Sequence, residues 1–194
     1  MLTGPTRKFF YALAIAMLLV APGCKYFSRA GDDQLKEANK IADEADSLAK
    51  KVDDAQSQAA KKEEDIKAEK KDKARIKKLN DEAGALYDQG SGDANQAADK
   101  YEQASKLKVD EKYQEYLKVR AQQLRKQGAY LAALKESSPA RVDPKLKPGT
   151  KPYKDRLSEA KSRADRLKKE ADELRDQADK LQKEGGDKFK AKSA

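Results

Sequence analysis

The chain has 194 residues and a formal net charge of +9; charged residues make up 40% and aromatic residues 6%, with no tryptophan, no histidine and one cysteine. That inventory excludes imidazole and multi-thiolate metal centres, Ser–His and Cys–His nucleophile pairs and an internal disulfide, so no catalytic residue, metal site or cofactor is expected. The bias toward Ala, Lys, Glu, Asp, Leu and Gln is that of long helices with a thin core. The expected fold class is all-α, an elongated helical hairpin or coiled-coil architecture built from long amphipathic helices.

Residues 1–23 read as a signal peptide. Arg7 and Lys8 form a basic start, and Phe9 to Val20 is an apolar run of 12 residues, well short of the roughly 20 that a spanning helix needs. Ala21, Pro22 and Gly23 close the run with small or helix-breaking residues, and Cys24, the lone cysteine, follows at once. Ala21-Pro22-Gly23-Cys24 resembles the lipobox of bacterial lipoproteins. The resemblance implies that the Cys24 thiol is diacylated, the signal is removed and the new amino terminus is acylated, so that acyl chains hold the protein on a membrane without a spanning helix. By the same resemblance, Lys25 after the cysteine favours the outer membrane where the source has two membranes. The other readings of these residues are an ordinary signal cut after Gly23 or after Ala30, and an uncleaved anchor.

Residues 24–32 read as a lipidated tether, with Gly31 as breaker and Asp32 or Asp33 as N-cap. From there a long charged helix is expected over 33–80, continuing to about Tyr87. Ala38, Ile41, Ala45, Leu48, Val52, Ala55 and Ala59 recur at alternating steps of three and four, the spacing of a seam against another helix, and Ile66 and Ile76 extend it sparsely. Between Lys61 and Lys78 mixed charge dominates, and the stretch reads as a solvated rod.

Residues 81–136 concentrate bulk, holding five of the chain's eight tyrosines, Tyr87, Tyr101, Tyr113, Tyr116 and Tyr130. Gly90-Ser91-Gly92-Asp93 reads as a turn with an Asp N-cap; it has neither the lysine nor the preceding strand of a phosphate loop. A helix after it shows Ala94, Ala97, Ala98, Tyr101, Ala104 and Leu107 on one face. Val109 and Asp110 interrupt it, and a further helix ends near Ser137-Ser138-Pro139. Leu86-Tyr87-Asp88-Gln89-Gly90 followed by Ala97, Tyr101 and Ala104, with Leu124-Arg125-Lys126-Gln127-Gly128 and Ala133 repeating part of the pattern, resembles a degenerate tetratricopeptide repeat. That resemblance implies a helical hairpin with a groove for a peptide; a plain helical hairpin accounts for the same residues. Tyr116 and Tyr130 are the spacing-based candidates for contact with a partner.

Residues 137–152 contain four prolines (139, 144, 148 and 152) and form an extended linker. In 153–184, Tyr153, Ala160, Leu167, Leu174 and Leu181 fall seven apart, with Leu157, Ala164, Ala171 and Ala178 between them, a coiled-coil helix with one Leu-rich and one Ala-rich row. Leu157, Leu167, Leu174 and Leu181 are expected to be buried, with Lys168, Lys169 and Lys183 exposed. The seam suits packing back on the first helix or self-association. Gly185-Gly186 ends the helix, and 185–194 reads as a basic, frayed tail.

These readings converge on a membrane-anchored envelope lipoprotein with a scaffolding role through helical contacts; the alternative is a protein-binding module with a tetratricopeptide-like groove. The partners expected are the membrane through Cys24, an envelope protein or a second copy, and an anionic envelope surface facing Lys145, Lys147, Lys151, Lys154, Lys188, Lys190 and Lys192. Nucleic acid is not expected, because basic residues are interleaved with acidic ones along nearly every helix and the signal exports the chain. The resemblance to the small major outer-membrane lipoproteins is architectural; their wall-linking terminal lysine has no counterpart in Lys192-Ser193-Ala194.

Overall fold

With so few large apolar residues, helices can exclude water only by coming close, and small side chains set where they do so. The computed structural model describes residues 23–69, 71–139 and 145–189, the side chains of 23–30 and of Asp187 excepted. Among the described residues the chain is all-helical with no strand: α1 (Gly23–Ala68), α2 (Lys73–Ser105), α3 (Glu111–Glu136) and α4 (Lys151–Gly185), closed by one 3-10 turn, Gly186–Phe189. Neighbours in sequence pack against each other, α1 on α2, α2 on α3 and α3 on α4.

The seam read along the first helix is real and faces inward. Ala38, Ile41, Ala45, Val52, Ala55 and Ala59 are buried, while Leu48, Ile66 and Ile76 are half-buried. They do not, however, belong to one rod running to Tyr87. The chain reverses between the end of α1 and the start of α2, and α2 returns along α1. Glu69 makes the reversal possible by accepting the backbone N–H of Lys71 at 3.1 Å and of Asp72 at 3.2 Å. Asp72 then caps α2, accepting the Arg75 N–H at 3.0 Å. At the other end, the tether expected over 24–32 is replaced by helix, since α1 starts at Gly23 and runs through Gly31. The expectations for residues 1–22 lie outside the described residues, and so does anything carried by the Cys24 side chain.

The turn expected at Gly90–Asp93 is likewise helix, inside the 33 residues of α2. The two glycines that mark the tetratricopeptide-like pattern, Gly90 and Gly128, serve close approach instead. A Cβ on Gly90 would lie 2.8 Å from Leu131 Cδ1 and 3.4 Å from Ala55 Cβ, so this is where α2 meets both α1 and α3. A Cβ on Gly128 would lie 3.2 Å from the Ser91 carbonyl oxygen and 3.3 Å from Ala94 Cβ, on the facing side of the same crossing. The break at Val109-Asp110 is present as expected, with the Asp110 carboxylate capping α3 on the Lys112 N–H at 2.9 Å. Ser138 Oγ donates to Asn80 Oδ1 at 3.1 Å and ties the end of α3 to α2.

The core is therefore a three-helix one. One cluster joins Ala38, Ile41 and Ala45 of α1 to Ala97, Tyr101 and Ala104 of α2 and Tyr113, Leu117 and Leu124 of α3. A second joins Val52 and Ala59 to Tyr87, Ala94 and Leu131. The last helix lies on α3 and not mainly on α1 as expected: Tyr153 Oη donates back to the Pro139 carbonyl at 3.1 Å, holding the start of α4 beside the end of α3. Ala160, Ala164, Ala171 and Ala178 are the residues it buries; Leu181 is 9% exposed, whereas Leu157, Leu167 and Leu174 are only half-buried along the edge. Lys168, Lys169 and Lys183 are exposed as expected. The tail begins with order: Gly186 takes a φ of +49° and the 3-10 turn seats Phe189, 8% exposed, against Tyr113.

The glycine crossing yields a direct expectation. Gly90→Val places a branched side chain where one carbon atom already meets Leu131 at 2.8 Å, and overpacking of this kind costs about 1–3 kcal/mol. Chemical denaturation should show a lowered midpoint for Gly90→Val and a somewhat raised one for Gly92→Ala, since nothing lies within 4 Å of a Cβ on Gly92 and alanine is the better helix former. Equal stability of the two variants would refute the close-approach role.

Candidate functional site

Because α4 sits on α3 to one side of α1, a trough remains between α1 and α4 with α3 as its floor. Its two wide parts are a cleft of about 560 Å³ near the start of α3, lined by Ala42, Asp43, Asp46, Tyr113, Tyr116 and Phe189 among others, and one of about 400 Å³ farther along, lined by Asp53, Ser57, Gln127, Tyr130, Lys168 and Arg175 among others. A smaller hollow of about 80 Å³, bounded by Arg120, Gln123 and Arg175, adjoins the second. The sequence-based candidates Tyr116 and Tyr130 thus occupy separate clefts of one trough, 14 residues apart on α3 and on the order of 20 Å along its axis. Both are half-buried, whereas Tyr87, Tyr101 and Tyr113 belong to the core.

A polar ladder that the sequence reading missed lies under the trough. Arg120, mostly buried, donates from Nη1 to Gln123 Oε1 at 2.8 Å, from Nη2 to Asp46 Oδ1 at 3.3 Å and from Nε to the Tyr101 hydroxyl at 3.4 Å. The Tyr101 hydroxyl itself donates to Asp46, and the guanidinium stands 5.4 Å from the Tyr101 ring centroid. Gln123 Nε2 continues the chain to Gln127 Oε1 at 3.0 Å, and Gln127 Nε2 to Asp53 Oδ1 at 3.1 Å. The ladder connects α1 with α3 and satisfies polar groups that burial would otherwise penalise. Asp46 and Asp53 stand seven apart, and Gln123 and Gln127 four apart beside Arg120, so the spacing alone places each set on a single helix face.

At the wider end three rings meet. Tyr113 and Tyr116 are stacked with centroids 6.0 Å apart, and Phe189 lies 4.8 Å from Tyr113 and 5.7 Å from Tyr116. The Phe189 ring passes so close to Gly185 that a Cβ there would fall 2.1 Å from it. The Tyr113 hydroxyl donates to Asn39 Oδ1. Burial pushes the Tyr116 phenol above its ordinary value, with Arg120 pulling it back and Asp46 and Asp179 adding to the rise. Burial likewise raises Tyr130, opposed by Lys168.

Ion pairs hold the α4 wall in register with the α3 floor. Lys126 meets Glu170 at 2.6 Å, Arg163 meets Glu136 at 2.8 Å and Lys112 meets Glu184 at 3.4 Å. All three are partly exposed and contribute about 0–1 kcal/mol each, so they orient α4 more than they bind it. Among the described residues, no group of three or more Cys, Asp or Glu is placed to hold a metal ion.

No family model matches the chain, and neither a curated protein nor a solved structure matches it. Function therefore has to be argued from the residues and their geometry. Lys147, Lys151, Lys154 and Lys188, offered for an anionic surface, are exposed and are not among the residues that line the two clefts; Lys190 and Lys192 fall outside the described residues.

The buried phenols predict alkaline sensitivity. Burial holds the Tyr101 and Tyr113 phenols well above their ordinary value of about 10. The native protein keeps protons that the unfolded chain releases, so their contribution is full below about pH 10 and is lost as pH rises through the folded values. Melting temperature should hold steady to about pH 10 and fall beyond it, with the late phenolate absorbance appearing together with loss of helix. Complete tyrosine ionisation near pH 10 with the helical signal intact would contradict the buried placement.

Proposed function

We propose that this protein is a lipid-anchored scaffold of a bacterial envelope, attached through acyl chains on Cys24 and presenting its helical surfaces to neighbours. The observation that carries the reading is the placement of the only cysteine at the end of a 12-residue apolar run, directly after Ala21-Pro22-Gly23. Two features support it. No helix among the described residues is long and apolar enough to cross a membrane, and acyl chains supply attachment without one. In addition, α1 begins at Gly23, so the proposed anchor passes into a 46-residue helix. An anchor joined to a helix that itself packs against α2 and α3 fixes the height of everything mounted on it. With Lys25 after the cysteine, the outer membrane is the favoured destination in a source with two membranes.

The scaffold half of the reading rests on surfaces left incompletely covered. The Leu157, Leu167 and Leu174 row is half-buried on α4, which suits lateral contact with a second copy. A second reading, capture of an envelope protein partner, is favoured by the location of Tyr116 and Tyr130 in the trough. Tyrosine is enriched at interfaces because a ring and a hydroxyl serve together. The trough between α1 and α4 takes the place of a tetratricopeptide-like groove in that reading.

Cys24→Ser should abolish incorporation of labelled fatty acid and leave the unprocessed precursor in the cell. The wild-type protein should carry a blocked, acylated amino terminus at Cys24 by intact-mass analysis. A mature terminus at Gly31, or a mass without acyl groups, would remove the lipid anchor and leave an exported helical protein.

A further inference from the structure

The two clefts of the trough differ in charge, and the difference identifies what the first one suits. In the cleft near the start of α3, Asp43 and Asp46 stand on one wall and the Tyr116 and Phe189 rings on the others, with no basic residue in its lining. Arg120 reaches Asp46 from beneath, which leaves Asp43 as the carboxylate without a partner. Asp43 is exposed, and its side chain makes no hydrogen bond or ion pair among the described residues. At the far cleft the signs mix, with Lys168 and Arg175 facing Asp53 and Asp172.

We propose that the cleft formed by Asp43, Asp46, Tyr113, Tyr116 and Phe189 binds a cationic side chain, lysine or arginine, of a partner polypeptide. Aromatic faces attract a cation through the ring quadrupole, and a nearby carboxylate supplies the counter-charge. The apolar stem of lysine or arginine matches the ring walls while its head reaches Asp43. Three further observations favour this occupant. The rings are fixed in place, because Phe189 is seated over Gly185 at the one residue type that admits it. Tyr113 and Tyr116 lie within the field of carboxylates from both α1 and α4, Asp43 and Asp46 on one side and Asp179 on the other. Finally, a second cleft lies farther along α3 at Tyr130, between the same two helices, so backbone on that side of the cation has somewhere to lie. A small free amine or a lipid headgroup would leave that length unused. The cation site does not depend on whether Cys24 carries lipid.

Titration calorimetry on the full chain tests this, using blocked pentapeptides with a central lysine, arginine or norleucine. Lysine and arginine peptides should bind, with norleucine at least about tenfold weaker since it lacks only the charge. Asp43→Lys should weaken the lysine peptide by about tenfold or more, and Tyr116→Leu by about fivefold. Lys61→Glu, on the exposed far part of α1, should leave the affinity unchanged. Circular dichroism on each variant separates loss of the site from loss of fold, and Asp43→Lys should stay folded because its side chain is exposed and makes no hydrogen bond or ion pair among the described residues. Equal affinity for norleucine, an unaffected Asp43→Lys variant, or choline chloride binding as tightly as the lysine peptide would each overturn the proposal, the last by reassigning the cleft to a lipid headgroup.

Discussion

The structure depends on the distance at which three helices can meet. A chain with 40% charged residues and 6% aromatics cannot fill a wide core, so it makes a narrow one from alanine and glycine. Ala55 and Val52 of α1, Gly90 and Ala94 of α2, and Gly128 and Leu131 of α3 define the closest point. Dispersion contacts at short range replace the area that large side chains would bury elsewhere. Once this crossing is set, the larger residues have fixed places on either side of it: Tyr101, Leu117 and Leu124 toward the start of α1, and Tyr87 toward the reversal between α1 and α2.

A narrow core has little room for errors of register, and the polar ladder under the trough addresses that constraint. Hydrophobic seams repeating every seven residues tolerate a slip by one heptad at small cost, because alanine follows alanine. Asp46 and Asp53 stand one heptad apart and so do Arg120 and Gln127, but the rungs differ in chemistry: Asp46 takes a guanidinium and the Tyr101 hydroxyl, Asp53 a side-chain amide, so a slip by one heptad would exchange unlike partners. A buried, hydrogen-bonded guanidinium contributes little net stability, yet leaving it unpaired costs several kcal/mol. We infer that the ladder selects the alignment of α3 on α1 that the alanine seam stabilises without specifying.

The sequence carried the helices more clearly than their ends. Heptad steps placed the buried face of α1 correctly from Ala38 to Ala59 and singled out the row of alanines that α4 buries. The turns were misplaced for a physical reason. Glycine has two uses, conformational freedom and absence of bulk, and at Gly90 and Gly128 the structure uses the second inside continuous helix. The actual reversal, between α1 and α2, has no glycine or proline; it depends on side-chain carboxylates from Glu69 and Asp72 satisfying free backbone N–H groups. In a stretch where nearly every residue is charged, two capping acids are indistinguishable from solvated ones by composition. Phe189 was hidden in a similar way, since a lone aromatic among lysines shows no period. Tyr116 and Tyr130 were legible because the spacing that put Tyr113 and Leu117 inward left those two at the edge of the same face.

The position of α4 explains why the trough exists. A fourth helix could have nested symmetrically against α1 and α3 had it carried leucine along both rows of its seam, because two wide ridges would fill the gap between its neighbours. Here the row meeting α3 is mainly alanine, which draws α4 down onto that helix and away from α1; of the leucines, Leu181 is buried with Val119 of α3 and Leu174 packs against that pair, while Leu157 and Leu167 stay half-buried. What faces α1 across the gap is Lys168, Asp172 and Arg175, side chains that water solvates as readily as protein does. The gap therefore has no hydrophobic reason to close, while its floor, held by the ladder and by α3's core contacts, has no freedom to collapse into it. A shallow, persistent trough with aromatic residues at intervals follows from the alanine row, without any residue devoted to keeping it open.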